Sequence, residues 1–460
     1  MLSRVLLSSL LASGAMAQAQ QAANFNITAD MAAQAHCGQK CQDLLLQTQA
    51  IDIATVGQDF DFDFYATSSN FTSSSKPGDL LKMQAVDPNT RDIKAGTTVY
   101  RIQYASKRFD GSTSVSTGYV AIPFNAALTD PSNGAGGTFK VAAIAPGTIG
   151  IYRGCAPSNG PNFFDYDTWK PLVERGYMVV STDYAGIGNN HTGFQYGSFP
   201  AHANDVFYAV QAARKAFGQV MSKQWMSLGH SLGGAAAWKL AESEHVRHDA
   251  NYLGTVALGP TTYLVDMILD SIDQRELAGH IPLVATTLAN TLPSYRETIL
   301  SDETRLRMQL AEKTQMCAVS MLSVTRDMEI PAIYNHTGLQ VDGQIMRKWQ
   351  NESSPALGDI SPAPILVVHG LADTTVVPDI VEKAWKRSCD AGNKVQLSLY
   401  RLMDHTPVVS AAGAEWIGFM DKQFAKKKRN SSHSDRQRCT KVVREPFDEK
   451  FVKAPKEFSL

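Results

Sequence analysis

The sequence has few charged residues and almost no net charge, and both shortages argue against whole classes of protein. Charged residues make up 19% of the 460 positions, and 43 Lys and Arg against 44 Asp and Glu leave a formal net charge of −1. Phosphate binding draws on a large excess of Lys and Arg, so this balance argues against a nucleic-acid partner. Hydrophobic residues reach 44%, too many for a disordered chain, and 33 Gly with 20 Pro follow no period, which excludes a fibrous protein. The composition indicates a globular protein of one to three domains.

Long hydrophobic runs are also missing, apart from one at the N-terminus. No later stretch approaches the ~18 apolar residues that are needed to span a bilayer. Met1–Ala17 has a single charge at Arg4, an apolar run over Val5–Leu11 and the small-residue pattern Ala15-Met16-Ala17. This is the layout of a secretory signal peptide cleaved after Ala17, the alternative being a buried N-terminal helix. The prediction is a secreted, extracellular protein without a membrane span.

Cysteine is scarce, but the number of cysteines is even, which favours disulfide bonds in an oxidising compartment. Cys37 and Cys41 are close enough in sequence to pair with each other, while the other four could be bridged only by the fold. A zinc site would need a second short-spaced pair of Cys or His, which is absent, so no metal is expected. The other four cysteines are Cys155, Cys317, Cys389 and Cys439. Six sequons are candidate glycosylation sites, at Asn26, Asn70, Asn190, Asn335, Asn351 and Asn430.

The charge is unevenly distributed along the chain. Residues 425–460 hold 11 Lys and Arg against 5 Asp and Glu, a net charge of +6, which leaves −7 for the 424 residues before them. The run Lys426–Arg429 would suggest nuclear import in a cytosolic protein. Behind a signal peptide it is better explained as a solvated charge run or a processing site. The sequence predicts an acidic body with a basic C-terminal tail.

The order of hydrophobic segments predicts a mostly parallel sheet interrupted by a helical block. Before residue 95 the chain is polar, and the strict alternation over Asp59–Phe64 predicts a strand with one buried face. From 141 to 260 strands alternate with helices, as in a parallel sheet that is covered on both faces. The Met-rich segment from 260 to 350 is helical in character, and strands then resume at Ile365–Val368, which favours an inserted cap. The predicted divisions are a signal peptide (1–17), an N-terminal extension (18–95), a core in two parts (96–263 and 351–424), a helical lid or cap (264–350) and the basic tail (425–460).

The segment Gly229-His230-Ser231-Leu232-Gly233 lies between a predicted strand and a predicted helix. Gly-x-Ser-x-Gly in that context is the nucleophile elbow, a tight turn that exposes the serine oxygen above a sheet. Charge develops on the substrate carbonyl oxygen during attack, so two backbone amides must point at that oxygen. One should come from Leu232 and the other from the Gly-rich turn after the strand Val141–Ala145, at or near Thr148. An ordinary tight turn would show the same glycines.

A nucleophilic serine needs a histidine base and a carboxylate that orients the histidine, and in this fold both follow the serine at strand ends. Asp373 follows the strand Ile365–Val368, and His405 follows the strand Val395–Leu402. The predicted triad is therefore Ser231, His405 and Asp373, on an α/β-hydrolase fold with an inserted helical lid. The less favoured rivals are Asp359, Asp379, His369, His230 and Asp404.

The chain resembles the fungal secretory lipase family over roughly residues 95 to 425. The resemblance is carried by Gly147-Thr148, Cys155-Ala156-Pro157-Ser158, Asp183-Tyr184-Ala185-Gly186-Ile187-Gly188, the elbow, His369-Gly370-x-x-Asp373 and Asp404-His405. It implies a helical lid near 264 to 350 and disulfides joining Cys155 to Cys317 and Cys389 to Cys439. The Cys37/Cys41 pair and the basic tail depart from the family pattern.

The predicted function is that of a secreted serine ester hydrolase, and no cofactor is expected. By resemblance the substrates are hydrophobic carboxylic esters such as acylglycerols, acted on singly or at a lipid interface. Methionines of the lid would suit fatty acyl chains, although Met at helical spacing is more often core packing. The alternative is a deacetylase of a small hydrophobic metabolite, for which the family's trichothecene C-3 esterases are the precedent. A noncatalytic binding module is a third hypothesis, disfavoured because all three triad positions are filled.

Overall fold

The structure, a computed structural model, describes residues 20–125, 138–164, 166–426 and 439–456. Within them, ten strands form one sheet in the order β1-β2-β3-β5-β4-β6-β7-β8-β9-β10. The strands are β1 (Leu80–Ala85), β2 (Thr97–Lys107), β3 (Thr113–Pro123), β4 (Phe139–Ala145), β5 (Tyr177–Thr182), β6 (Met221–His230), β7 (Tyr252–Leu258), β8 (Ile365–Gly370), β9 (Val395–Tyr400) and β10 (Cys439–Arg444). Antiparallel pairing is confined to β1–β2, β2–β3 and β3–β5, and the pairs from β5–β4 to β9–β10 are parallel. The parallel strands bring their carboxyl ends to one edge of the sheet.

Helices cover both faces of the sheet. They are α1 (Ala29–Gln34), α2 (Gln39–Val56), α3 (Phe62–Tyr65), α4 (Trp169–Glu174), α5 (Phe199–Phe217), α6 (Leu232–Ala241), α7 (Glu244–Arg247), α8 (Leu264–Asp270), α9 (Arg275–Ala278), α10 (His280–Leu288), α11 (Asp302–Thr314), α12 (Ala318–Ser323), α13 (Ile330–Ile333), α14 (His336–Ser353), α15 (Pro378–Asp390), α16 (Pro407–Ala411) and α17 (Gly413–Ala425). Side chains of a strand alternate between faces, so β4 feeds two separate cores. Val141 and Ala143 join the core under α5, α6 and α15, while Ala142 and Ile144 join the core under α4, α16 and α17. Both faces of the central strands are therefore buried.

Helices α8 to α14 form one insertion between β7 and β8. The insertion packs against the N-terminal helices, with α2 beside α12 and α1 beside α11. Cys155, which follows β4, is disulfide-bonded to Cys317 at the start of α12. The insertion is thus attached to the loop after β4 by a covalent link as well as by packing.

The other cysteines are also paired, Cys37 with Cys41 and Cys389 with Cys439. The second of these bonds joins α15 to β10, which extends the sheet as an edge strand parallel to β9. Part of the basic tail (425–460) is therefore a strand of the sheet.

One predicted element is wrong. The alternating segment Asp59–Phe64 does not form a strand, because α3 begins within it at Phe62. The carboxylate of Asp61 accepts a hydrogen bond from the amide of Phe64, which is the helix N-cap arrangement. A local side-chain cap has outweighed the two-residue periodicity.

Several predictions concern the surface and the termini. The predicted signal peptide (1–17), Asn430 and most of Lys426–Arg429 lie outside the described residues. The other five sequon asparagines are exposed, at Asn26, Asn70, Asn190, Asn335 and Asn351. Glycosylation at these positions stays a prediction. Among the described residues, no helix is long and apolar enough to cross a membrane.

Candidate active site

The nucleophile elbow is formed where β6 ends at His230 and α6 begins at Leu232. Ser231 lies between them with φ 58° and ψ −122°, a backbone conformation that is strained for a residue with a side chain. Both glycines of the turn lie against backbone atoms that leave no room for a side chain. A Cβ at Gly229 would lie 2.0 Å from the carbonyl oxygen of Gly233, and one at Gly233 would lie 1.9 Å from that of Ala145. These clashes explain the two glycines of the motif.

The predicted acid and base meet at the carboxyl edge of the sheet. Asp373 follows β8 and His405 follows β9, and Nδ1 of His405 lies 2.7 Å from Oδ2 of Asp373. The other carboxylate oxygen of Asp373 accepts hydrogen bonds from the amides of Thr375 and Val376, at 2.9 and 2.7 Å. Burial raises the pKa of Asp373, but the charge and hydrogen bond of His405 outweigh burial and hold this pKa below its usual value. An ionised Asp373 fixes the orientation of the imidazole ring.

The rival residues have other partners. His369 is fully buried, with Nε2 2.9 Å from the carbonyl oxygen of Val376 and 3.5 Å from Asp373, and burial lowers its pKa. Burial lowers the pKa of His230 to about 3, so this ring is neutral, and its Nε2 lies 3.2 Å from the carbonyl oxygen of His405. Asp404 accepts hydrogen bonds from the backbone amides of His405 and Thr374. Asp359 pairs with Lys239 on the surface, and Asp379 lies in the first turn of α15.

The candidate oxyanion donors lie on either side of the serine. Leu232 is the first residue of α6, so its amide is one of the unpaired donors at a helix N-terminus. Gly147 precedes Thr148, and a Cβ at Gly147 would lie 3.5 Å from the Cβ of Ser231. The hydroxyl of Thr148 is 2.9 Å from that of Tyr196, and burial raises the Tyr196 pKa to about 12, so the phenol keeps its proton. Tyr196 could not be predicted from the sequence, because it belongs to no recognisable motif.

A cavity of about 380 Å³ contains Ser231 and has two walls. The sheet-side wall is formed by loops that follow strands, and includes Gly147, Thr148, His230, Ser231, Thr374 and His405. The insertion-side wall is formed by α9, the start of α10, α12 and the turn after α12, and includes Arg275, His280, Val319, Leu322 and Arg326. Three predicted site residues, Thr148, Ser231 and His405, thus lie in one cavity with Asp373 behind the histidine.

The methionines of the insertion do not line this cavity in the part of the chain that is described. They are buried instead, in the hydrophobic cores of the insertion and its neighbours: Met267, Met308, Met316, Met321 and Met328. Of the two explanations considered for these residues, core packing is the one that the structure favours.

A profile of the secretory lipase family matches residues 164–432. The chain belongs to the secretory lipase family. Among curated relatives, lipase 1 of Candida albicans is 25% identical over 388 residues, which cover 77% of this chain and 79% of the relative. Lipase 5 of the same yeast is 26% identical over 370 residues, 72% of this chain and 73% of the relative.

Solved structures share the fold at low sequence identity. Candida antarctica lipase A in its closed state superposes with a TM-score of 0.63 and 16% identity, over 80% of this chain and 86% of that one. The rice cell wall degrading esterase LipA of Xanthomonas oryzae gives a TM-score of 0.60 and 16% identity, over 76% of this chain and 100% of that one. The predicted α/β-hydrolase fold is confirmed, and as a member of the secretory lipase family the protein is a carboxylic-ester hydrolase. Family membership and the three disulfides fit a secreted protein.

The described residues contain no group of three or more His, Cys, Asp or Glu side chains that could hold a metal ion. Sequence reasoning missed most of the insertion-side wall of this secretory lipase. Arg275 and Arg326 line the cavity but belong to no recognisable motif. Their positions depend on how short helices pack, for which the sequence holds no signal of its own.

Proposed function

We propose that this secretory lipase hydrolyses carboxylic esters through an acyl-enzyme formed on Ser231. The observation that carries the proposal is the 2.7 Å contact between His405 and Asp373, in a cavity that also contains the strained Ser231. Asp373 binds Nδ1 of His405 and leaves Nε2 as the nitrogen that takes the serine proton. Family membership supports the ester bond as the target.

In the proposed mechanism, Ser231 attacks the ester carbonyl while His405 takes the hydroxyl proton. The developing oxyanion is stabilised by the amide of Leu232 and by a donor at Thr148. His405 then gives its proton to the leaving alcohol, and the acyl-enzyme forms. A water molecule, activated by the same histidine, releases the acid and restores Ser231. No cofactor takes part in these steps.

For the substrate, the dimensions of the site favour a compact ester over a long-chain triacylglycerol. The cavity of about 380 Å³ is near the lower end of the range for small-molecule sites. The insertion methionines, which would have suited fatty acyl chains, pack in the core. These observations support the second candidate, a deacetylase of a small metabolite, and rank long-chain acylglycerols behind short-chain esters. We propose an extracellular site of action, to which the exposed sequons are suited.

Serine-selective phosphonate labelling tests the mechanism. Wild-type protein should be labelled and inactivated, while Ser231→Ala should resist labelling and lose at least about 10⁴-fold in kcat on 4-nitrophenyl acetate. Full activity and retained labelling in the variant would rule out the assignment. Rates on 4-nitrophenyl acetate and on the palmitate ester, with and without an emulsified interface, then test the substrate preference. A higher rate on the interfacial palmitate would overturn the compact-ester proposal and leave the mechanism intact.

A further inference from the structure

The insertion-side wall of the cavity is positively charged. Arg275 begins α9 and Arg326 lies in the turn after α12, and both line the cavity that contains Ser231. Lys456, near the end of the described tail, lines it as well. The one acidic side chain among the described lining residues is Asp404, which is already hydrogen-bonded to two backbone amides.

The other buried and half-buried arginines of the insertion form ion pairs with carboxylates of the insertion. Arg307 is fully buried and pairs with Asp327 and Glu303. Arg347 pairs with Asp266 and Asp270 in the same way. The two cavity arginines differ from these, since neither forms an ion pair with a carboxylate that the structure describes.

The two cavity arginines are held in different ways. Arg275 is half-buried and donates a hydrogen bond to the carbonyl oxygen of Met328, which fixes its guanidinium group without neutralising the charge. Arg326 is also half-buried, and within the described ranges its side chain makes no hydrogen bond or ion pair. A guanidinium group has five donors in a planar fork, which match the oxygens of a carboxylate or another oxyanion.

The charge of the insertion-side wall is opposite in sign to the net charge of the chain before the tail. The 424 residues before the tail carry a net charge of −7, so a cationic wall in the cavity is not an average property of the protein. Partly desolvated cations that line a cavity attract anions more strongly than cations on an open surface. A neutral ester would leave both guanidinium groups without a charged partner among the side chains that the structure describes.

We propose that Arg275 and Arg326 form a subsite for an anionic group of the substrate, so that the preferred substrates are esters that also carry a carboxylate or another oxyanion. The inference rests on the proposed function, because it concerns the cavity in which Ser231 reacts. The anion binds at the insertion-side wall, and the ester carbonyl lies at the sheet-side wall between Ser231 and Thr148.

The test compares matched neutral and anionic esters. An anion on the acyl side is provided by mono(4-nitrophenyl) adipate, whose neutral match is 4-nitrophenyl hexanoate. An anion on the alcohol side is provided by 4-acetoxybenzoate, whose neutral match is 4-methylphenyl acetate. The readout is kcat/KM for the anionic ester divided by kcat/KM for its neutral match. Each variant's ratio is compared with the wild-type ratio, so that intrinsic reactivity cancels.

Arg326→Ala should lower this ratio about tenfold for one of the two pairs, and the double variant with Arg275→Ala by more, because a charge-assisted hydrogen bond is lost each time. The pair affected identifies the side of the ester that carries the anion. The kcat/KM on neutral esters should fall by less than the kcat/KM on the anionic esters. Arg326→Lys should retain part of the preference, and added NaCl should lower the wild-type ratio but not that of the double variant.

Arg296→Ala is the matched control, because Arg296 is an exposed arginine of the insertion that does not line the cavity. Its ratio should equal that of the wild type. Unchanged ratios for both pairs in Arg326→Ala, with neutral esters still hydrolysed, would overturn the subsite and leave the proposed function standing.

A binding measurement separates the two proposals if hydrolysis itself is absent. Calorimetry on Ser231→Ala should give tighter binding of the anionic ester than of its neutral match for at least one of the two pairs, and the difference should disappear when Arg326→Ala is added. Equal binding within both pairs would also overturn the subsite.

Discussion

The two walls of the cavity are built on different principles. On the sheet side, Ser231 directly follows β6, Asp373 follows the end of β8 by three residues, and His405 follows the end of β9 by five. On the insertion side, α9 has four residues and α12 has six, too few for either helix to be stable alone. Regular strand geometry therefore positions the proposed catalytic residues, while links to distant parts of the chain position the residues that face them.

Three such links, one disulfide and two hydrogen bonds, fix the insertion-side wall. The disulfide between Cys155 and Cys317 ties α12 to the loop after β4. Asp52, in α2, accepts hydrogen bonds from the amides of Val319 and Ser320 at the start of α12, at 3.0 Å each. The wall is thus stabilised by contacts that do not involve the proposed triad. Changes on the sheet side should affect chemistry, and changes in the links should affect stability and substrate preference.

The largest effect is expected from Asp373→Asn on the sheet side. The amide would present a donor to Nδ1 of His405, favour the wrong tautomer and lower kcat by about 10⁴-fold. Steady-state kinetics on 4-nitrophenyl acetate measures this loss, and the free energy of unfolding should change far less than the activity. Asp359→Asn is the control, because Asp359 is exposed and pairs with Lys239. A variant Asp373→Asn within tenfold of the wild type would assign the acid to another residue.

The second effect is expected from removing the Cys155–Cys317 disulfide with serine at both positions. The bond closes a loop with a sequence separation of 162 residues, so chain entropy predicts a loss of about 5 kcal/mol of unfolding free energy. Urea unfolding measures the loss. The Cys37–Cys41 bond, with a separation of 4, is the matched comparison, and its removal should cost about 2 kcal/mol by the same relation. Equal losses would mean that the insertion is held mainly by packing.

A third and smaller effect concerns the pH dependence of the Asp52 contact. Burial outweighs the hydrogen bonds from Ser320 and Val319 and raises the pKa of Asp52 from 3.8 to about 6. The folded protein therefore binds a proton more tightly than the unfolded chain, and the stability contributed by Asp52 is lost as the pH rises from about 4 to about 6. Urea unfolding across this window should show the wild type losing up to about 3 kcal/mol relative to Asp52→Asn.

Other buried carboxyls also titrate, such as Asp205 and Glu242, whose pKa values burial raises to about 7 and about 8. Their contributions cancel when the unfolding free energy of Asp52→Asn is subtracted from that of the wild type. A difference that does not change with pH would show that Asp52 is ionised throughout. In that case the capping hydrogen bonds to α12, and not burial, would dominate at this position.

The same contrast explains what could be predicted from the sequence. Ser231, Asp373 and His405 could be predicted to lie close together because each follows a hydrophobic strand, and parallel strands bring their carboxyl ends together. Arg326 could not be found, because its place in the cavity depends on the packing of α12 against α2 and on a disulfide. Sequence periodicity reports which face of an element is buried, and it does not report which short helices meet across a cavity.

Two further elements show the limits of periodicity. The strand β10 was not predicted, because the pattern over Cys439–Arg444 is that of a partly exposed, charged edge strand, held in place by the bond from Cys439 to Cys389. The alternation over Asp59–Phe64 was misleading, because the cap from Asp61 favours a helical turn. In each case periodicity does not report the link that holds the segment, a disulfide for β10 and a side-chain cap for α3.

The smallest effect is expected from Tyr196→Phe, which removes the hydrogen-bond partner of the Thr148 hydroxyl. The phenol keeps its proton and can donate to the Thr148 hydroxyl at 2.9 Å, which leaves the proton of that hydroxyl free to point toward the substrate oxyanion. The loss of one neutral hydrogen bond predicts a fall in kcat of about fivefold with KM nearly unchanged. Stopped-flow acylation rates check this, and Thr148→Ser, which keeps the hydroxyl, should stay near the wild type. A fall that appears in KM instead would make Tyr196 part of the substrate-binding surface and remove it from the stabilisation of the transition state.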